Sequence, residues 1–205
     1  MGTIILPADH PSAISQALKT LRAGDLVAFP TDTVYGLGAQ IRIPESIARL
    51  YTTKGRSKQK AIPVLIGDVD DLSQIAIRVP PHARLLAKRF WPGPLTLVVP
   101  RHPSLPDILS PTSTIGVRMP DHPIALGLLR RSGPLAVSSA NISGQPSTAT
   151  AEEVFEQLGG RISLIIDGGH TPGGSPSTVA RCTQTELVIL RPGPITEHDL
   201  KSVLS

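Results

Sequence analysis

The sequence predicts an α/β fold built around a twisted sheet. Three observations carry this: short apolar runs alternate with segments of helical period, the alternation is mixed along the whole chain, and Pro- and Gly-rich clusters mark where the runs end. Residues 12–23 place Ile14, Ala17, Leu18 and Leu21 at helical spacing with Gly24 as a stop, which predicts an amphipathic first helix. Residues 25–30, DLVAFP, form an apolar run closed by proline, and the polar TDTVYGLG behind it reads as a shaped loop after a buried strand. Further helices are predicted over 44–51, 82–90, 123–131, 151–158 and 196–204. Strands are predicted over 62–66, 95–99, 114–118, 135–137, 164–166, 177–181 and 187–190. The 21 prolines and 18 glycines gather in PTDTVYGLG, WPGPLT, DGGHTPGGSPS and LRPGPI, and the apolar strands flanking each cluster mark rigid strand-end loops rather than disorder.

A chain of 205 residues fits one hydrophobic core, so a single domain over 1–205 is expected, with one active site. Hydrophobic residues at 40% and charged residues at 18% exclude a disordered chain. No apolar run reaches the roughly 18 residues that span a bilayer, and the start, MGTIILPADH, lacks the pattern of a signal peptide, which together predict a cytoplasmic protein. Cys182 is the one cysteine, which excludes an internal disulfide and a cysteine-based zinc site. Its flanks, VARCTQTELVIL, read as strand and hairpin and mark it as a packed residue. A net charge of +4 suits a polyanionic ligand and equally an ordinary basic protein, and aromatics at 3% leave little for a base-stacking platform.

Several segments can carry chemistry. Lys54, Arg56, Lys58 and Lys60 put four cations in seven residues, enough to neutralise a triphosphate, though a solvated basic loop reads the same way. The string SSANISG (138–144) offers hydroxyl and amide groups to a phosphate or ribose, or only to its own backbone as a turn. Asp167, Gly168 and Gly169 with the stretch 173–178 make a glycine-rich loop whose N–H groups can meet an anion. No GK[ST] follows those glycines and no GxGxxG occurs, so P-loop and Rossmann sites are disfavoured. Arg118 and Arg191 end the apolar runs TIGVR and LVILR, where an arginine ordinarily reaches solvent; two beside hydroxyl-rich loops suggest a shared anion site. The histidines lack metal spacing, and His82, His122 and His198 read as surface residues. No GxSxG elbow is present, and Trp91 reads as a core anchor.

Taken in order, FPTDTVYGLG (29–38), YTTKGR (51–56), FWPGPLTLVV (90–99), GVRMPDHP (116–123), SSANISGQPS (138–147), DGG with GGSPSTVA (167–180) and LRPGPI (190–195) resemble the YrdC/TsaC family over residues 25–194. The resemblance implies a twisted, mixed, largely open sheet with flanking helices and a concave active-site face. It implies an L-threonylcarbamoyladenylate synthase, in which L-threonine, bicarbonate and ATP with Mg²⁺ give threonylcarbamoyl-AMP and pyrophosphate. A TsaD/Kae-type transferase then moves the threonylcarbamoyl group onto tRNA. By motif position, Lys54, Arg56 and Lys60 resemble triphosphate ligands, with Lys54 and Arg56 in the catalytic role. Ser139, Asn141 and Arg191 resemble further ATP contacts, and Thr33, Arg118, Ser138 and Ser177 resemble the threonine pocket. No protein metal ligand is implied, and the chain resembles the single-domain form.

The residues suit that chemistry. Threonine's carbamate supplies its own nucleophile, so the protein's task is to align anions and stabilise charge on phosphorus and on leaving pyrophosphate. Arg118 can pair with the threonine carboxylate, and a site built around the threonine hydroxyl rejects valine. The chain departs from relatives at Ser57 and Ala61, where they commonly carry proline, with Pro63 displaced, and at Leu65, where many carry histidine. These departures fall on the path of residues 58–63 and on one wall of the threonine pocket. Two rival readings stand beside this one. The first is a carbamoyl-transfer module like that of hydrogenase maturation, which the absence of zinc-finger-like or acylphosphatase-like segments opposes. The second is a double-stranded-RNA-binding or ribosome-assembly protein without catalysis, which would show a salt-steep RNA affinity.

Overall fold

The computed structural model describes residues 2–172, 174–183 and 186–204. Among them, ten strands form one open mixed sheet. In chain order they are β1 (Ile4–Pro7), β2 (Val27–Phe29), β3 (Gly36–Gln40), β4 (Val64–Leu65), β5 (Leu95–Pro100), β6 (Thr114–Arg118), β7 (Leu135–Ser139), β8 (Leu164–Asp167), β9 (Thr178–Cys182) and β10 (Leu187–Arg191). Their order across the sheet is β1-β8-β2-β3-β7-β4-β6-β5-β9-β10, with β1 and β10 at the edges. The helices are α1 (Ala13–Arg22), α2 (Pro44–Lys54), α3 (Leu72–Ile75), α4 (Pro81–Phe90), α5 (Pro123–Ser132), α6 (Ala151–Leu158) and α7 (Glu197–Leu204).

Period-2 alternation sends neighbouring residues to opposite sides of the sheet. Ala28, Val64, Leu97, Ala136 and Ile165 join the larger core, which also takes Ile47, Leu86, Val154 and Leu200 from α2, α4, α6 and α7. On the other side, Val27, Phe29, Leu135, Leu164 and Ile166 meet Leu21 and Leu128 from α1 and α5. That second helical cover stops partway across. The residues of β5, β6 and β9 that alternate away from the larger core include Thr96, Val98, Gly116, Arg118 and Val179, and they line a cavity instead.

Six of the helices described lie where the sequence placed them, and the one-turn α3 was not anticipated. Pro44 begins α2 and Gly55, at φ 59, ends it in the left-handed region. The Thr150 hydroxyl accepts from the Glu153 N–H and caps α6. Trp91 is buried and donates its indole N–H to the Leu95 carbonyl at 2.7 Å. Cys182 is packed as expected, and burial pushes its thiol up to about 11; residues 184–185 behind it lie outside the described residues. Among the described residues no helix is long and apolar enough to cross a membrane.

Three sequence expectations are corrected. The end of TDTVYGLG is strand β3, not loop, because Gly36 and Gly38 let it approach its neighbours: a Cβ on Gly36 would stand 2.8 Å from Val137, and one on Gly38 2.9 Å from Phe29. Strand β1 was not anticipated; it is a four-residue edge strand parallel to β8. Helix α2 continues past residue 51 to Lys54, so the first cation of the KGR string belongs to a helix and not to a basic loop.

Candidate active site

The cavity on the uncovered half of the sheet encloses about 380 Å³. Three arginines reach it from separate elements: Arg56 just past α2, Arg118 at the end of β6 and Arg191 at the end of β10. Hydroxyl side chains of Thr31, Thr33, Thr96, Ser138, Ser139 and Ser177 share its wall, with Leu65, Val98 and Val137 giving apolar surface.

Arg118 is the most deeply set of the three, 6% exposed. Its Nε donates to the Gly93 carbonyl and one terminal nitrogen to the Thr33 hydroxyl, both at 3.0 Å. The other terminal nitrogen pairs with Asp32 Oδ1. Thr31 gives its one hydroxyl proton to the Val34 carbonyl at 2.7 Å, so in the 3.0 Å contact between the two hydroxyls Thr33 is the donor. Thr33 is thus oriented on two sides, and Arg118 already has a carboxylate partner within the protein. Arg191 donates twice to the Ser177 carbonyl, at 3.1 and 2.8 Å, and to its hydroxyl at 3.2 Å. The Ser177 hydroxyl also meets that of Thr96 at 2.8 Å.

A glycine closes this wall. Any Cβ on Gly193 would stand 2.4 Å from the Thr178 amide nitrogen, so the LRPGPI strap can lie flat on the Pro176–Thr178 backbone only with glycine there. The Thr178 hydroxyl fastens the strap by donating to the Ile195 carbonyl at 2.7 Å and accepting from its N–H at 3.0 Å.

Arg56 is half-buried and donates to two backbone carbonyls, Lys60 at 3.2 Å and Ala61 at 2.8 Å. Burial and the Arg56 charge both lower the Arg191 pKa from its ordinary value, and burial lowers that of Arg56. Asp32 is the only carboxylate bonded to any of the three among the described residues. The cavity therefore keeps an excess of positive charge.

The structure brings Thr33, Arg56, Arg118, Ser138, Ser139, Ser177 and Arg191 to one cavity and leaves Lys54, Lys60 and Asn141 off its wall. Lys54 is 1% exposed and lies beneath the turn after β7. Its ammonium donates to the carbonyls of Ser139 and Asn141 and to Asn141 Oδ1 at 3.4 Å. Asn141 ties the same turn through its amide N–H groups, to Ile142 and Gln145 at 2.9 and 2.8 Å. Lys58 and Lys60 are exposed. The departures from the family pattern matter locally: Ala61, Pro63 and Leu65 line the cavity, and the last gives an apolar wall. In the glycine-rich loop, Gly168 N–H donates to the Tyr35 hydroxyl at 3.1 Å and Gly169 N–H to Asp167 at 2.9 Å, so these donors are already engaged. Gly173 lies outside the described residues. The sequence reading missed Asp32, which adjoins Thr33 in the motif, and Thr96, in FWPGPLTLVV.

Burial, then the Arg56 charge, lowers the Lys54 ammonium from 10.5 to about 7. The folded state releases this proton more readily than the unfolded state, so the group favours folding fully above 10.5 and that contribution is lost as pH falls to about 7. Urea denaturation of the ligand-free protein across that window shows stability rising with pH, and Lys54→Met flattens the rise. Equal slopes for the two proteins would sink this account.

An α/β sheet with a cationic, hydroxyl-lined cavity has the chemistry to hold an anion. The family model for Sua5_yciO_yrdC, described as telomere recombination, matches residues 19–193. A threonylcarbamoyl-AMP synthase of Bacillus subtilis (strain 168) is 46% identical over 93% of this chain and 56% of its own length. A Mycobacterium tuberculosis (strain ATCC 25618 / H37Rv) relative is 40% identical over 97% of this chain and 92% of its own. The crystal structure of Pyrococcus abyssi Sua5 complexed with L-threonine superposes with a TM-score of 0.94 at 42% identity, covering 98% of this chain and 61% of that one. The chain thus spans little more than half the length of the Bacillus relative. It belongs to the Sua5/YciO/YrdC family.

Proposed function

We propose that the chain forms threonylcarbamoyl-AMP and pyrophosphate from L-threonine, bicarbonate and ATP, supplying the intermediate for threonylcarbamoyladenosine in tRNA. The observation that carries this reading is the convergence of Arg56, Arg118 and Arg191 on one hydroxyl-lined cavity where, among the described residues, Asp32 is their one bonded carboxylate. The threonine-bound Pyrococcus abyssi structure, at 42% identity, supports an amino-acid site in the same fold.

In this reading the threonine amine and bicarbonate give a carbamate and water. A carbamate oxygen then bonds to the α-phosphorus while the bond from that phosphorus to the bridging oxygen breaks, and the electron pair leaves with pyrophosphate. Arg56 and Arg191 meet the charge that develops on phosphate oxygens, where fixed cations in a partly desolvated cavity act more strongly than in water. Thr33 and the hydroxyls of Ser138 and Ser177 orient the threonine side, with Arg118 holding Thr33 in place. Lys54 and Asn141 act on the nucleotide side by shaping the turn that carries Ser139, and Lys60 acts through its carbonyl on Arg56.

Among the described residues no three His, Cys, Asp or Glu side chains group as a metal site, and Asp32 is engaged by Arg118. The protein's residues do not fit a resident Mg²⁺, which in this reading arrives with ATP as part of the substrate. A TsaD/Kae-type transferase would consume the product, and we read residues 1–205 as one cytoplasmic domain around the continuous sheet.

The test is pyrophosphate release by purified protein with Mg²⁺-ATP and bicarbonate, comparing L-threonine, L-valine and no amino acid. Release that requires both threonine and bicarbonate is the expected result. None under any condition, together with a salt-steep affinity for tRNA or double-stranded RNA, would replace it with the RNA-binding reading.

A further inference from the structure

A second cavity, of about 470 Å³, lies against the larger core and shares no residue with the active-site cavity. Leu72 and Ala76, buried in that core, and Val79, packed against it, give it an apolar floor. Val69, a large apolar residue left exposed, borders it as well. Arg78 and Arg84 reach it from the segment before α4 and from α4 itself, and both are exposed. Among the described residues neither arginine has a side-chain hydrogen bond or an ion pair, whereas Arg49, Arg101, Arg118 and Arg130 each have a carboxylate partner.

The sequence accounts for the lack of partners. Residues 72–106 contain no aspartate or glutamate. Of the carboxylates just before them, Asp68 stands 3.7 Å from Arg130, and Asp71 accepts from the Gln74 amide and the Asp68 N–H, both at 3.2 Å. Asp70 borders the cavity but is bonded to neither arginine.

The backbone holds Arg78 in place. Among the described residues it is the one non-glycine with a positive φ, at 49°. A residue with a Cβ keeps such a conformation only where its surroundings over-determine it. Here Ala76 bridges to Arg101, Ile77 N–H donates to the Pro100 carbonyl at 3.0 Å, and Arg84 N–H donates to the Pro80 carbonyl at 3.1 Å as α4 begins. The chain therefore turns at a residue pinned on both sides, and an arginine stands where glycine would be relaxed.

Two forked donors beside an apolar floor suit a carboxylate carried on an apolar body. A nucleic-acid backbone brings negative charge but nothing for the floor, and its phosphates would meet Asp70. A free inorganic anion leaves the floor wet. A peptide supplies a carboxylate for the guanidinium groups, an aliphatic side chain for Leu72, Ala76 and Val79, and a backbone N–H for Asp70. We propose that this cavity is a docking site for a peptide segment of another protein in which an acidic residue adjoins a large aliphatic one. It uses no residue of the reaction proposed above.

The test titrates acetyl-Leu-Glu-amide into the isotope-labelled chain and follows the Nε–H resonances of Arg78 and Arg84. Saturable shifts of both are expected. Acetyl-Leu-Gln-amide, which loses the charge, and acetyl-Ala-Glu-amide, which loses the aliphatic group, each bind about 10-fold more weakly, the scale of one charge-assisted hydrogen bond or two buried methylene groups. Arg84→Ala weakens acetyl-Leu-Glu-amide about 10-fold. Arg78→Gly separates recognition from folding: it removes the guanidinium and relaxes the left-handed turn, so binding falls about 10-fold while the urea midpoint holds or rises. Equal affinity for the Glu and Gln peptides, undiminished binding by Arg78→Gly, or displacement by inorganic phosphate at equal concentration would overturn the proposal. So would an absence of peptide binding together with a tRNA affinity that falls in both arginine variants, which would make this face an RNA surface.

Discussion

Replacing Arg56 with alanine lowers threonine- and bicarbonate-dependent pyrophosphate release by roughly 100- to 1,000-fold, the loss typical when one fixed donor to developing charge is removed. The fold survives the change. In the free protein Arg56 gives its hydrogen bonds to the Lys60 and Ala61 carbonyls, on a surface segment where water can replace it. What is lost is charge in the cavity, where Arg56 and Arg191 stand close enough for one to lower the pKa of the other. Two like charges held together are unfavourable until an anion arrives between them, so the arrangement favours the state in which negative charge is greatest. Arg56→Lys keeps the charge but not the planar fork and recovers part of the rate. Near-normal turnover in Arg56→Ala, with circular dichroism and unfolding midpoint unchanged, would remove Arg56 from the mechanism.

The second large effect is on stability. Arg118→Met leaves the Asp32 carboxylate, 13% exposed, without its cation, and breaking a buried ion pair by removing one partner costs about 3–5 kcal/mol. The Gly93 carbonyl and Thr33 hydroxyl lose their donor at the same time. The double variant Arg118→Met with Asp32→Asn recovers much of that loss, because no uncompensated charge stays buried, but does not recover threonine use. Urea denaturation separates the cases. A single variant less than about 1 kcal/mol below wild type would place the pair among ion pairs of surface strength, which hold nothing in place.

The same pair explains where the sequence was legible. The helices of eight residues or more announced themselves by apolar spacing, whereas the single turn of α3 is too short to show a period, and the 114–118 run became β6 with its Arg118 at the end. Its carboxylate partner did not announce itself, because Asp32 stands 86 residues away and no local rule connects the two. Lys54 was misplaced for a related reason. A charged residue after an apolar helix face reads as solvent-exposed, whereas the oxygens that allow its burial belong to a turn 85 and 87 residues further on. Glycine hid β3, since the residues that weaken a strand by propensity are the ones that let this strand lie against Phe29 and Val137. His122 read as a surface histidine from its place before Pro123, yet one side of its ring is buried. Most of the side chains that line the cavity were visible as candidates because they sit in short strings of unusual composition. Which of them face the cavity and which hold the others in place was decided by contacts across the sheet.

The helical cover that stops halfway over the second face of the sheet gives any ligand of the cavity an architectural role. Over β5, β6 and β9 the layer that a helix would supply elsewhere is left to whatever fills the cavity. In the proposed reaction, nucleotide and amino acid would be the missing tier of a three-layered protein: none of the described helices roofs the cavity, so the ligands would complete the packing of the surface on which they react.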